Sequence, residues 1–425
     1  MDVRRKINKK LWKKKNIVLC LESLQMGTMT ASKLKEIDSR RRILEMSVSR
    51  LMDLRQAQDG SVTYLDLDGY SGRFLLSACN SGSIFIHDLA NLTGDLRYES
   101  RVVGQCLPGD PGHSGARLET AQWYPFDTGL FTTSGGNSQL RVWDGNQLRW
   151  IEVIDVKDTI NRHHMSPVPS HTSCLVAVAT LSEFVYLVDL RTGNSVRELR
   201  GHMEGVNACA FSPREAHLLV TGGVDGSVLL WDVRMSRGYL REMPKDSSET
   251  SKKTPKKCLI KSVCFCSDGR SVVLVNQKGK ILLWNLFNND RSKSVREFTG
   301  TSNGKTIRIQ MDVSSDLDIV FIPENRSVAV YSLKTCNIVK RLNDHYGLVN
   351  CCRFNSFSQE LYSGGMDHII VPYRAEAEIS RGFTVDLERK DYDVYTGGNE
   401  MKSSWKTGLK VKPSKDSLWN DSDSD

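Results

Sequence analysis

Short segments in which apolar residues alternate with polar ones recur along most of this chain, separated by clusters of Gly, Asp, Asn and Ser. Alternation with period two is the mark of half-buried β-strands, and the intervening clusters are turn formers. One such run, Leu140-Arg141-Val142-Trp143, closes on Asp144, and the same shape returns at Trp231-Asp232 and Trp284-Asn285. Degenerate copies end at His87-Asp88, Val188-Asp189 and Tyr331-Ser332, and a seventh ends at Tyr373. Their successive spacings are 56, 45, 43, 53, 47 and 42 residues. A strand-rich unit repeated at that period predicts a closed array of small sheets.

The fourth unit shows the grammar most fully. Gly201-His202 leads into Val206–Phe211, Ser212-Pro213 makes a turn, Leu218–Thr221 follows, Gly222-Gly223-Val224-Asp225 turns again, and Val228–Trp231 ends the unit. This is the pattern of WD repeats, in which the histidine, the turn aspartate and the tryptophan hydrogen-bond together within a blade. His202, Asp225 and Trp231 are therefore expected to be structural, as are His345 and Asp367 ahead of Tyr373, and Trp143 and Trp284 in their own units. Seven units predict an all-β, seven-bladed WD-repeat propeller over 43–374 with four strands per blade. The seventh unit supplies only three strands before the chain turns polar. Residues 43–49 alternate apolar and polar just ahead of the first unit, so they are expected to provide the missing strand and close the ring. Aligning the inner strands on Asn207 predicts a polar ring at one mouth of the channel: Thr63, Glu119, Asn161, Asn207, Lys261, Arg308 and Asn350. Its mixed charge suits protein recognition, and it is the expected partner face.

Outside the ring, residues 17–42 read as a helical arm of two short helices broken at Gly27, with Leu21 and Leu24, then Leu34 and Ile37, at helical spacing. Residues 375–425 are polar and end in an acidic segment around Trp419, a composition too poor in apolar residues to fold alone.

Composition adds limits. Of 425 residues, 39% are hydrophobic and 25% charged, and no apolar run approaches the roughly 20 residues that a membrane span requires. The 11 cysteines are odd in number and lack Cys-x-x-Cys pairing, which argues against a disulfide framework or a zinc cage and for a reduced, intracellular protein. Charge is unevenly placed. Residues 1–50 hold 14 Lys/Arg against 5 Asp/Glu, whereas the rest of the chain is almost balanced. A basic extension at 1–16 on a neutral body predicts nuclear import, with weak or absent direct nucleic-acid binding. No catalytic motif emerges. Gly300–Thr306 has glycines too closely spaced for a phosphate loop, and His163, His164 and His171 have no carboxylate or cysteine at ligand spacing. A non-catalytic binding scaffold without cofactor or metal is the expectation.

One local feature exceeds the repeat grammar. Trp231-Asp232-Val233-Arg234 resembles the box of WD-repeat substrate receptors of cullin-four ubiquitin ligases. There the Asp and Arg contact the adaptor, damaged-DNA-binding protein one. A planar, permanently charged fork suits such a contact. The resemblance implies that Asp232, Arg234 and Asp225 bind the adaptor, together with Leu21, Leu24, Leu34 and Ile37 of the arm. Val188-Asp189-Leu190-Arg191 is a weaker copy. Longer strings, Glu119–Thr132, His163–Val168, Cys174–Val178 and Gln359–Gly364, are similar to the Cockayne syndrome group A family. That similarity implies a substrate receptor in transcription-coupled nucleotide excision repair, working with the Cockayne syndrome group B ATPase at stalled RNA polymerase II. Blade five departs from the pattern, with no Gly-His and with Lys278 in place of the turn aspartate. The alternative is a general WD-repeat scaffold in chromatin or RNA processing.

Overall fold

In a computed structural model the described residues are 24–375, apart from 28–29, 50–51, 55–57, 94–97, 111–114, 169–173, 236–237, 245–257, 289–293, 302–305, 307 and 315–316. The expectations for residues 1–16, Leu21 and the acidic tail lie outside them.

Each predicted unit becomes one antiparallel sheet. Blade two runs β7 (Leu118–Trp123), β8 (Leu130–Gly135), β9 (Gln139–Asp144) and β10 (Arg149–Asp155) from the channel outward. Blade three is β11 (Ile160–Met165) to β14 (Asn194–Arg200). Blade four is β15 (Val206–Phe211), β16 (Leu218–Gly223), β17 (Val228–Asp232) and β18 (Arg241–Glu242). Blade five is β19 (Ile260–Phe265) to β22 (Val295–Glu297), and blade six is β23 (Asp312–Val313) to β26 (Ile338–Leu342). Blade one, β3 (Val62–Leu67) to β6 (Tyr98–Cys106), carries a fifth strand, β2 (Met52–Asp53), parallel to β6. The fold is a seven-bladed β-propeller.

Blade seven contains β27 (Val349–Asn355), β28 (Glu360–Gly365) and β29 (Ile370–Ala375), and its fourth strand comes from the other end of the chain. That strand, β1, spans Met46–Val48, with Met46 opposite Ala375 and Val48 opposite Tyr373. It begins later than the expected 43, because helix α1 (Ala31–Glu45) continues through that stretch. Thr30 caps α1, its side chain accepting from the Lys33 N–H. In the last turn Ile43 points into the core between blades six and seven, so its burial satisfies helix and sheet at once. Lys340 donates from Nζ to the Leu44 and Met46 carbonyls, serving groups that a helix C-terminus leaves unpaired. Ahead of α1, Leu24 and Gln25 are helical and Gly27 turns the chain at φ +67°, a conformation that glycine adopts without a Cβ penalty.

The core is divided rather than central. Seven apolar clusters line up one to each seam between consecutive blades, blade seven against blade one included. A blade therefore has two buried faces, which explains why its middle strands read as nearly unbroken apolar runs such as Leu175–Thr180 and Ser271–Asn276. Ten of the cysteines are described, all free and half-buried or buried. Among the described residues no helix is long and apolar enough to cross a membrane.

Candidate functional site: two faces of the ring

A propeller has two rims, and here they are built from different turns. The upper rim carries the turns between second and third strands, with the histidine and aspartate of the repeat. In blade four Trp231 donates to Thr221 Oγ1 at 2.8 Å, His202 Nε2 meets the same hydroxyl at 2.7 Å, and His202 Nδ1 meets Ser227 Oγ at 2.8 Å. Ser227 in turn donates to Asp225. In blade seven His345 joins Ser363 Oγ, 2.6 Å, to Asp367 Oδ2, 2.8 Å, while the Tyr373 hydroxyl has no partner among the described residues. Burial raises the energy of the charged carboxylate, but the donors outweigh it, so Asp225 and Asp367 are both held below the usual carboxylate range.

The relay varies with sequence. Trp143 donates to Thr133 Oγ1 at 2.8 Å, the equivalent of Thr221. In blade five that position is Leu274, two residues along from the strand partner of Trp284, and the Trp284 N–H has no partner among the described residues. Blade one has His87 at the position that Trp143, Trp231 and Trp284 fill in blades two, four and five. It is fully buried and bonded to Gln58, whose side chain also receives Ser77 Oγ at 3.0 Å. Gln58 and Ser77 were not singled out in the sequence, since neither matches the repeat grammar.

The lower rim carries the ends of the third strands. Asp232 closes β17 and accepts from Arg234 three times: from its N–H at 3.0 Å, from Nε at 3.0 Å and from Nη2 at 2.7 Å. The forked contact holds the nearly buried Asp232 carboxyl below its ordinary range. The Arg234 side chain is two-thirds exposed, and its guanidinium has more donors than Asp232 engages. Arg197 of blade three steadies the turn, donating to the carbonyls of Val233 and Met235 at 2.7 and 2.9 Å. The copy at Asp189 is looser, with Arg191 Nε 3.8 Å away. Asp88 receives a comparable fork from Arg73, at 2.8 and 2.7 Å, a site the repeat alignment does not reveal because Arg73 lies in the preceding turn.

Asp225 does not join this surface. It lies in the turn before β17 and Arg234 in the turn after it, so the whole length of a strand that rises about 3.3 Å per residue separates them. Of the arm residues, Leu24, Leu34 and Ile37 are half-buried. The surface of α1 is otherwise covered by charges paired along the helix, such as Arg40–Glu36 and Arg42–Asp38.

The expected partner ring is largely turned inward. Asn161 donates to the Val206 carbonyl at 2.8 Å, Asn207 to Ile260 at 3.2 Å and Asn350 to Val62 at 2.9 Å, each stitching one blade to the next. All three are buried, as is Lys261, whose ammonium burial holds below the usual lysine range. Thr63 donates to Ala78 O within its own blade. Arg308 stays partly exposed, whereas Glu119 is buried beneath it. From the start of blade six, Arg308 spans the channel to Glu119 Oε1 of blade two, 2.8 Å, and Asn161 Oδ1 of blade three, 2.6 Å. Deeper in, Arg353 bridges Asp66, 3.1 Å, and Asp312, 3.2 Å. Burial pushes Asp66 up to about 6 despite that arginine. No group of three or more metal-ligating side chains occurs among the described residues.

A family model described as the nucleolar protein 10-like N-terminal domain matches residues 169–366. The chain is 28% identical to the WD repeat-containing protein ATCSA-1 of Arabidopsis thaliana, over 86% of its own length and 94% of that protein. It is 24% identical to Radiation-sensitive protein 28 of Saccharomyces cerevisiae, covering 59% of the chain and 55% of the relative. It is also 28% identical to DNA damage-binding protein 2 of Bos taurus, over 40% and 38%. These likenesses and the fold together describe a WD-repeat interaction scaffold.

Proposed function

We propose that this propeller is the non-catalytic substrate-binding subunit of a cullin-four ubiquitin ligase acting in transcription-coupled nucleotide excision repair. The lower rim around Asp232 and Arg234, with the arm at 17–42, holds the adaptor, damaged-DNA-binding protein one. The upper rim presents a substrate, and ubiquitin transfer takes place on other subunits by proximity. The working partners are the Cockayne syndrome group B ATPase and stalled RNA polymerase II, and the site of action is the nucleus. The observation that carries the reading is the fork of Arg234 on Asp232. It is an exposed, oriented guanidinium on a rigid strand end, in a chain similar to ATCSA-1 along most of its length. Arg197 supports it by fixing the turn that carries Arg234. Asp225, buried in its own relay, has no part in the adaptor surface.

The test is a binding titration of the purified chain against the adaptor, comparing wild type, Arg234→Ala and a deletion of residues 1–40. That deletion keeps Ile43 and β1, so the ring stays closed. Tight binding by the wild type and at least tenfold weakening in each variant is the expected result, a loss of about 1.4 kcal/mol or more. Absence of binding by the wild type would overturn the proposal.

The second reading is a general WD-repeat scaffold in chromatin or RNA processing. RNA processing is favoured by the match of residues 169–366 to the nucleolar protein 10-like domain and by 29% identity, over 39% of the chain and 17% of that protein, to the U3 small nucleolar RNA-associated protein 21 homolog of Schizosaccharomyces pombe.

A further inference from the structure

At the upper mouth of the channel two guanidinium groups converge on a single oxygen. Arg117 Nε lies 2.7 Å from Glu119 Oε1, and Arg308 Nη1 lies 2.8 Å from the same atom. Glu119 is almost wholly buried, so its one negative charge faces two permanent positive charges with little help from solvent. The arginines keep donors to spare. The Arg117 side chain is about half exposed, and Arg308 Nε is buried without a partner among the described residues. The Asn161 carbonyl oxygen that receives Arg308 Nη2 is neutral and adds no charge.

Around this mouth stand apolar side chains that the backbone holds out to solvent. Leu181 is 61% exposed, with its N–H bonded to the Thr159 carbonyl. Met203 and Tyr346 are 80% and 84% exposed and occupy equivalent places in blades four and seven. Their N–H groups are pinned by the turn aspartates Asp225 and Asp367, at 3.0 and 3.1 Å. Exposed apolar anchors on an immobilised backbone lose little entropy on binding, which is the character of interface hot spots.

We propose that this mouth receives an acidic segment of a partner protein. A carboxylate of the segment docks on Arg117 and Arg308, and neighbouring apolar side chains rest on Leu181 and Met203. The excess positive charge selects the carboxylate, and the apolar rim selects a peptide over a free anion. The inference rests on the upper rim being the partner face, and it specifies the chemistry of what binds there.

The test is fluorescence anisotropy of a labelled twelve-residue peptide alternating Glu and Leu, titrated with the full chain, beside the same peptide carrying Gln for Glu. The Glu peptide should bind at least tenfold more tightly than the Gln peptide. Arg117→Ala should remove most of that preference. Arg117 lies at the surface, so the variant keeps the fold, and a thermal melt checks this. Arg308→Ala should act likewise in whatever fraction remains folded. Equal binding of the two peptides, no binding of either, or an Arg117→Ala variant that keeps the preference would overturn the proposal. So would displacement of the Glu peptide by free glutamate at the same concentration, since a site for the anion alone needs no segment. The adaptor titration reads the opposite rim, so either proposal can fail while the other stands.

Discussion

At the scale of single residues, equivalent positions in the repeat do different energetic work. Trp231 satisfies Thr221, which in turn serves His202, whereas the Trp284 N–H faces Leu274 and finds no acceptor. Removing an indole N–H from the first orphans buried partners. Removing it from the second relieves an orphan. Trp231→Phe should therefore destabilise the protein by about 1–2 kcal/mol more than Trp284→Phe, read as urea midpoints at equal slope. Equal losses would show that the relay contributes nothing beyond packing.

At the scale of elements, α1 and β1 form one device. Three residue pairs of β1 on β29 complete blade seven, and Ile43 and Met46 anchor the junction in the seam with blade six. Without β1, the edge of β29 would present unpaired N–H and C=O groups to other molecules. A deletion of residues 1–40 should melt close to the wild type. A deletion of residues 1–49 should melt far lower and aggregate, as judged by calorimetry and light scattering. Similar melting of both deletions would mean that the ring does not depend on β1. Helix α1 was legible in the sequence because the spacing of Leu34 and Ile37 after the break at Gly27 is a local signal. The position where helix gives way to strand was not, since Ile43 and Leu44 suit either element and only the seam against which Ile43 packs decides.

At the scale of the whole molecule, the seams bury polar groups beside the apolar ones, and some of these titrate. His163 is fully buried between blades two and three, bonded to Thr132 at 2.9 Å and Ser134 at 2.6 Å, and burial lowers its pKa to about 3. The unfolded chain takes up a proton near pH 6.5 that the native imidazole refuses. The stability this neutral histidine contributes is therefore complete above pH 6.5 and declines as the pH falls from there toward 3, by about 1.4 kcal/mol per unit. Asp66, raised to about 6, has the opposite sign between about pH 4 and 6, so the wild-type curve alone does not isolate the histidine. The melting-temperature gap between wild type and His163→Gln isolates it. That gap should shrink steadily as the pH is lowered from 6.5 to 4.5, and a constant gap would exclude the assignment.

What the chain alone determined is whatever depends on near neighbours. The alternation, the turn residues and the repeating Trp-Asp endings specify seven sheets, and the shortage of a strand in the last unit points to the first alternating run outside it. Trp231-Asp232-Val233-Arg234 was likewise legible, because the fork of Arg234 on Asp232 closes within a single turn. Tertiary structure decided which way the ring residues point. Asn161, Asn207 and Asn350 look like surface residues in alignment, yet each becomes a stitch once the next blade brings a carbonyl within reach. Asp225 and Arg234 are near in number and lie at opposite ends of one strand. Arg308 meets Glu119 across 189 positions of sequence. No periodicity records such a contact, because it exists only after the ring has closed and set the width of its own channel.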